Sequence, residues 1–238
     1  MKFAQMGLYE NLLSICLERR CRFVRINETD IINVVIAGTA GQGVITLKRL
    51  IEFAAQKAGI DACFGAEQHG LAQREGAIIS HTRYQKKLAK NPRYNLQSSL
   101  ICFGDADLYI CIEPVEALRQ GIYASNKTIF VLNSRTIPSI MNTAGLEDYP
   151  SLEKILEILK RYTDKIYFFN ATEIALREFH QNQQVNIMML GFATVTGRLP
   201  FIEIEHYEEV IKEWLRDPDL NIKALHLGLE KGNELIHS

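Results

Sequence analysis

No two of the five cysteines, Cys16, Cys21, Cys63, Cys102 and Cys111, stand at C-x-x-C spacing. Zinc ribbons and ferredoxin-type clusters need closely spaced thiolates, so this chain is expected to hold neither a metal nor an iron–sulfur cluster. An odd, dispersed set of thiols reads as reduced, partly buried cysteine in a cytoplasmic protein. Net charge is also missing: 27 Lys+Arg stand against 28 Asp+Glu, a balance of -1. That gives no general attraction to nucleic acid or to an anionic membrane. No apolar run approaches the roughly 18 residues a membrane span requires. Lys2 is not followed by a continuous apolar stretch with a small-residue cleavage site, so no secretory signal is expected. No internal repeat, low-complexity tract, G-K-[ST] phosphate loop or nucleophile elbow is present. "GDA" at 104–106 lacks the Gly-Asp-Gly opening of a thiamine diphosphate motif.

What is present is an ordinary soluble composition, 47% hydrophobic and 23% charged, in 238 residues, enough chain to bury a sizeable core. Residues 1–30 stand apart as an N-terminal extension. Their run "YENLLSICLERRCRFVRI" reads as a short amphipathic helix, with its arginines on a solvated face. Leu8, Leu12, Leu13, Ile15 and Leu17 would pack on a neighbour or cover the sheet edge of the chain itself. Residues 31–238 form the main domain.

Within that domain, short β-branched runs alternate with amphipathic ones. "INVVIA" (32–37), "IDACFGA" (60–66), "AIISHTRY" (77–84), "DLYICI" (107–112), "TIFVLN" (128–133) and "KIYFFN" (165–170) read as strands. "VITLKRLIEFAAQKAG" (44–59) reads as a helix ending at Gly59, and "SLEKILEILKRY" (151–162) as another. Pro114 falls in the first turn of a further helix, and Asn170 with Glu173 has capping-box spacing. From Asn186 the chain reads as mostly helical. The alternation predicts an α/β, Rossmann-like fold: a mostly parallel sheet with helices on both faces and a helical C-terminal part.

"AGTAGQGVIT" (37–46) places Gly38, Gly41 and Gly43 where the first strand becomes the first helix. In a doubly wound sheet that turn lies at the ligand-binding edge, and a helix N-terminus there offers free N–H groups. The spacing is G-x-x-G-x-G, whereas the dinucleotide fingerprint is G-x-G-x-x-G. Phosphate binding and a close approach of backbone to its neighbours both remain open. Glu67, near the end of the second strand, could hold a ribose hydroxyl. The polar stretch "EQHGLAQREG" (67–76) reads as a loop. In it His69 could carry a proton, and Arg74 could clamp an anion or pair with Glu67 or Glu75. Glu113, just before Pro114, is placed to cap the following helix.

Four stretches, "GTAGQGVIT", "EQHGLAQREGAIISHTRY", "GDADLYICIEPVEALR" and "NIMMLGFATVTGRLP", occur in this order. Together they resemble the gamma-type domain of 2-oxoacid:ferredoxin oxidoreductases, in the version found in indolepyruvate ferredoxin oxidoreductases. The resemblance spans about residues 32–215. It implies a complex that oxidatively decarboxylates a 2-oxoacid to an acyl-CoA and passes electrons to ferredoxin. It also implies that thiamine diphosphate and the iron–sulfur clusters sit on a partner subunit, none being bound by this chain, which alone would be inactive. Ala40 replaces a glycine of the family's turn, and Leu71 and Glu75 replace the Met and first Gly of its loop. On this reading Gly38, Gly41, Gln42, Gly43, Glu67, His69, Gln73, Arg74 and Glu113 form the functional edge, for assembly or closure of an active site, with no catalytic acid or base among them. The partners implied are the cofactor-bearing subunit, ferredoxin through the complex, and a further copy of the chain. Two readings from other classes stay beside it: a self-sufficient dinucleotide- or CoA-binding protein, and a non-catalytic scaffold.

Overall fold

The computed structural model describes residues 31–69, 76–138, 140–146 and 148–237. The N-terminal extension and its expected helix, with Leu8 to Leu17, lie outside the described residues. So do Gln73 and Arg74 and the rest of 70–75.

β1 (Ile31–Thr39) leads into α1 (Val44–Lys57), then β2 (Ala62–His69), β3 (Ala77–Gln85) and β4 (Leu108–Cys111). α2 (Pro114–Arg119), β5 (Ile129–Asn133), a short α3 (Ile140–Thr143), α4 (Leu152–Leu159) and β6 (Ile166–Phe169) follow. α5 (Ala171–Phe179), α6 (Val185–Val195), α7 (Ile204–Trp214) and α8 (Pro218–His237) complete the order. The six strands form one sheet in the order β2-β3-β1-β4-β5-β6.

The expected α/β architecture is what the chain adopts: β1, β4, β5 and β6 are parallel, with α2 crossing over between β4 and β5 and α4 between β5 and β6. β3 runs antiparallel to both β1 and β2. Only residues 70–76 separate β2 from β3, too few for a crossover helix, so the two pair as neighbours of opposite direction. The polar stretch from Glu67 does not all lie in a loop. Glu67, Gln68 and His69 continue β2, because Ser80, Ile79 and Ile78 of β3 pair with them. Here the ladder overrides a composition that reads as loop.

Each strand of the sheet centre is apolar on both sides because both faces are covered. Val34, Ile36, Leu108, Ile110 and Val131 face α1, α6, α7 and α8. Val35, Ala37, Tyr109, Cys111, Phe130 and Leu132 face α2 and α4. α6, "VNIMMLGFATV", is buried along nearly its whole length, and α8 packs directly on it. No helix among the described residues is long and apolar enough to cross a membrane.

Candidate functional site at the carboxyl edge

β1 and β4 are adjacent and parallel, but the helices that follow them leave in opposite directions. α1 packs on one face through Leu47, and α2 on the other through Ala117. The strand ends therefore part at a topological switch point, the crevice where open α/β sheets bind ligands. The glycine turn and Glu113 both lie there.

Gly41 and Gly43 have φ +88 and +79, the left-handed region where a side chain is strained. Gly38 does not need positive φ; it needs the absence of a side chain. A Cβ there would stand 2.7 Å from Gln42 Oε1 and 2.9 Å from Val44 Cγ2. Gln42 turns its amide oxygen back to accept the Thr39 N–H at 2.7 Å, and its own N–H donates to Thr39 O. Gly43 is roofed by Asn186 at the start of α6. A Cβ at Gly43 would lie 2.9 Å from Asn186 Cγ, and Asn186 Nδ2 donates to Gly43 O at 3.3 Å. The space freed by two of the three glycines is thus filled by the chain's own amides. A Cβ at Gly41 would meet nothing within 4 Å among the described residues; the positive φ, not crowding, is what calls for glycine there.

Glu113 is only 2% exposed, and its carboxylate takes hydrogen bonds on both oxygens. Oε2 accepts from Val115 N at 2.8 Å and Glu116 N at 3.1 Å, capping α2. Oε1 accepts from Ile137 N at 3.3 Å and from the Tyr149 hydroxyl. Burial, and then the bond to Glu113, keep the Tyr149 hydroxyl protonated far above the usual phenol range. Burial likewise raises the Glu116 carboxyl, and the neighbouring Arg119 guanidinium opposes that rise. Truncating Glu113→Ala would remove a helix cap and take an acceptor from the buried Glu116 N–H and from the part-buried Val115 N–H and Tyr149 hydroxyl. The expected loss is about 2 kcal/mol, read as a lower urea midpoint, while Glu113→Gln, which still offers an acceptor oxygen, loses less.

The cavity between Thr39, Glu113, Glu116, Arg119, Ile137 and Tyr149 measures about 40 Å³. Pockets for drug-sized ligands run to roughly 300–1,000 Å³, so this one has room for water and not for a nucleotide. The carboxylate of Glu113 already occupies the N-terminus of α2, where an incoming phosphate would meet it.

Glu67 lies elsewhere. β3 separates its strand from β1, so Glu67 is not beside the glycine turn. Its carboxylate pairs with Lys48 of α1 at 2.9 Å, and Lys48, 9% exposed, also lies 3.4 Å from Glu52. Burial raises the Glu52 carboxyl, and burial together with Glu52 pushes the nearby Cys63 thiol up to about 12. His69 ends β2, with its backbone opposite Ile78.

The structure thus brings Gly38, Gly41, Gln42, Gly43 and Glu113 to one crevice and sets Glu67 apart from them. Sequence reasoning missed Asn186 and Asn133. Asn133, at the end of β5, donates to Ile112 O and Thr172 Oγ1 and accepts from Ala171 N, which ties three elements at this edge. A lone amide opening an otherwise apolar helix, as in "NIMMLGFA", is the signal that pointed to Asn186. Among the described residues no group of three or more His, Cys, Asp or Glu could hold a metal ion. Cys63, Cys102 and Cys111 are free, one each on β2, in the connection after β3 and on β4, which does not fit a cluster site.

The profile of the pyruvate ferredoxin/flavodoxin oxidoreductase family matches residues 33–231. The chain is 36% identical over 199 residues to the indolepyruvate oxidoreductase subunit IorB of Archaeoglobus fulgidus, covering 83% of this chain and 93% of that protein. It is 33% identical over 208 residues to the same subunit of Pyrococcus horikoshii, covering 86% and 98%. In fold it is similar to the gamma subunit of a keto/oxoacid ferredoxin oxidoreductase from Geobacter sulfurreducens. That match has a TM-score of 0.60 at 15% identity and covers 86% of this chain and 97% of that one.

Proposed function

The chain belongs to the pyruvate ferredoxin/flavodoxin oxidoreductase family, and from that membership we propose that it is the non-cofactor-bearing, gamma-type subunit of an indolepyruvate-type 2-oxoacid:ferredoxin oxidoreductase. Residues 31–238 form the gamma-type domain. In the assembled cytoplasmic complex a 2-oxoacid is oxidatively decarboxylated to an acyl-CoA and the electrons pass to ferredoxin. Thiamine diphosphate and the iron–sulfur clusters belong to the partner subunit, and the isolated chain is inactive.

One observation supports this reading over a self-sufficient dinucleotide or CoA binder: among the described residues the switch-point crevice is largely filled from within. Gln42 and Asn186 occupy the space that Gly38 and Gly43 free, Glu113 sits at the N-terminus of α2, and the cavity beside Glu113 measures about 40 Å³. Such an edge suits a rigid wall presented to another subunit better than a cofactor cradle. Glu67, paired with Lys48 and two strands from β1, is not placed to hold a ribose next to the glycine turn.

The full chain, tagged and isolated from its native host, should bring down a larger subunit that carries thiamine diphosphate and iron–sulfur clusters. Only that assembly should reduce ferredoxin with a 2-oxoacid and coenzyme A. Isolation of the chain with no such subunit, or calorimetry showing micromolar NAD or CoA binding by the chain alone, would overturn the reading.

A further inference from the structure

β3 carries three polar side chains at alternate positions, His81, Arg83 and Gln85, on the sheet face opposite α1. Each grips the backbone of the connection that leads from β3 to β4. Gln85 Oε1 accepts from Leu96 N at 2.8 Å, and Arg83 Nη1 donates to the carbonyls of Ser98 and Leu100 at 3.0 Å each. His81 Nδ1 accepts from Ile101 N at 3.0 Å. The connection is therefore laid along β3 for about 13 Å, four strand residues at ~3.3 Å each.

Held this way, the segment turns apolar groups outward. Leu88, Tyr94, Leu100 and Phe103 are exposed, Phe103 by 66%, and so is Phe64, which stands opposite Arg83 on β2. These are five of the eleven large hydrophobic side chains exposed among the described residues, so the exposure is concentrated rather than scattered. The charge of the segment has one sign. From Gln85 to Gly104 there are Lys86, Lys87, Lys90 and Arg93 and no acid. Lys86 lies over the Phe201 ring, and the neighbouring Asp61 carboxylate is turned to the Leu88 N–H. Lys87, Lys90 and Arg93 are exposed.

We infer that this surface is where the chain docks its cofactor-bearing partner subunit, through an apolar patch on the partner rimmed by carboxylates. The inference rests on the proposed function above and adds the face that is used. An exposed apolar cluster supplies the desolvated centre of such an interface, and cations around it select a partner of opposite charge. A second copy of the chain fits less well: across a two-fold axis the same patch meets itself, so Lys87, Lys90 and Arg93 would face a surface of their own sign.

The test is recovery of the thiamine diphosphate subunit with tagged full chain, wild type against a K87E/K90E/R93E variant whose circular dichroism and melting match wild type. Recovery should fall at least tenfold for this variant. It should stay at the wild-type level when exposed Lys160 and Arg161, just after α4, are reversed instead. Cys102, exposed between Ile101 and Phe103, gives an independent readout. Its alkylation, followed by peptide mass spectrometry, should be at least tenfold slower in the complex than in the isolated chain. Full recovery with the triple variant, or equal Cys102 alkylation in both states, overturns the docking surface while leaving the proposed function standing. Failure of the wild-type chain to bring down any thiamine diphosphate subunit overturns the proposed function itself.

Discussion

Gly228→Ala is expected to destabilise the protein by about 4 kcal/mol, a large part of the roughly 5–15 kcal/mol that holds a typical domain folded. α6 and α8 meet backbone to backbone. A methyl group at Gly228 would overlap the Met188 carbonyl, lying 2.8 Å from its carbon and 3.0 Å from Met188 Cα. On the other helix a methyl at Gly191 would overlap the Leu225 carbonyl, 2.9 Å from its carbon and 3.0 Å from Leu229 N. In both places the obstacle is helix backbone, which cannot swing aside as a side chain can. The helices would have to separate, and the buried row Met188, Leu190, Phe192 and Leu225 would lose its packing. Alanine is the better helix former by about 1 kcal/mol, which offsets only a fraction of that loss. Urea unfolding followed by far-ultraviolet circular dichroism checks the prediction. A midpoint equal to wild type for both Gly228→Ala and Gly191→Ala would refute it.

The second large effect is loss of stability in acid through His81. Its imidazole is fully buried, with Nδ1 accepting the Ile101 N–H. The proton of the neutral ring is therefore on Nε2, a buried atom with no hydrogen-bond partner among the described residues. Burial, and next the Arg83 guanidinium, lower its pKa from 6.5 to about 4. In the unfolded chain the same ring takes up a proton below about pH 6.5. Between the two values the unfolded state binds more protons, so stability is complete above 6.5 and declines as pH falls towards 4. With about 1.4 kcal/mol per pKa unit, the total comes to about 3 kcal/mol. His81→Asn is the control, since its amide oxygen can take the place of Nδ1 and does not titrate. The difference in unfolding free energy between wild type and His81→Asn should shrink or change sign by about 3 kcal/mol from pH ~7.5 to pH ~4. A difference that stays constant with pH would refute the assignment. Because His81 also holds the connection that exposes Leu100 and Phe103, the same acid step should loosen the proposed docking surface.

How much of this was legible in the sequence depends on the distance over which each feature is set. The strands and the long helices followed from their apolar spacing, and so did the two-sided covering of the sheet. Glu113 and Asn170 act as caps through bonds two or three residues ahead, Glu113 to Val115 N and Glu116 N, Asn170 to Glu173 N. Bond geometry alone fixes such reach, which is why residue type and spacing were enough. Four ordered stretches carried the family resemblance, and the family match runs through the same residues.

The candidate site was legible only as a location. That Gly38, Gly41 and Gly43 make a turn at the sheet edge is local, but what fills the turn is not. Asn186, which roofs Gly43, is 143 residues away. What stands against Gly43 was therefore decided by the packing of α6. Glu67 shows the same limit. Its position at a strand end was readable, yet the insertion of β3 beside β1, and the Lys48 of α1 that takes its charge, depend on strand pairing. Local spacing constrains the few residues within reach of one turn or one pleat. Contacts between distant segments form only when the whole chain has chosen a common packing. The sequence by itself thus determined the elements, their caps and the family. Only the tertiary structure decided the antiparallel β2–β3 pair, the backbone contact of α6 with α8, the grip of β3 on its connection and the amides packed against Gly38 and Gly43.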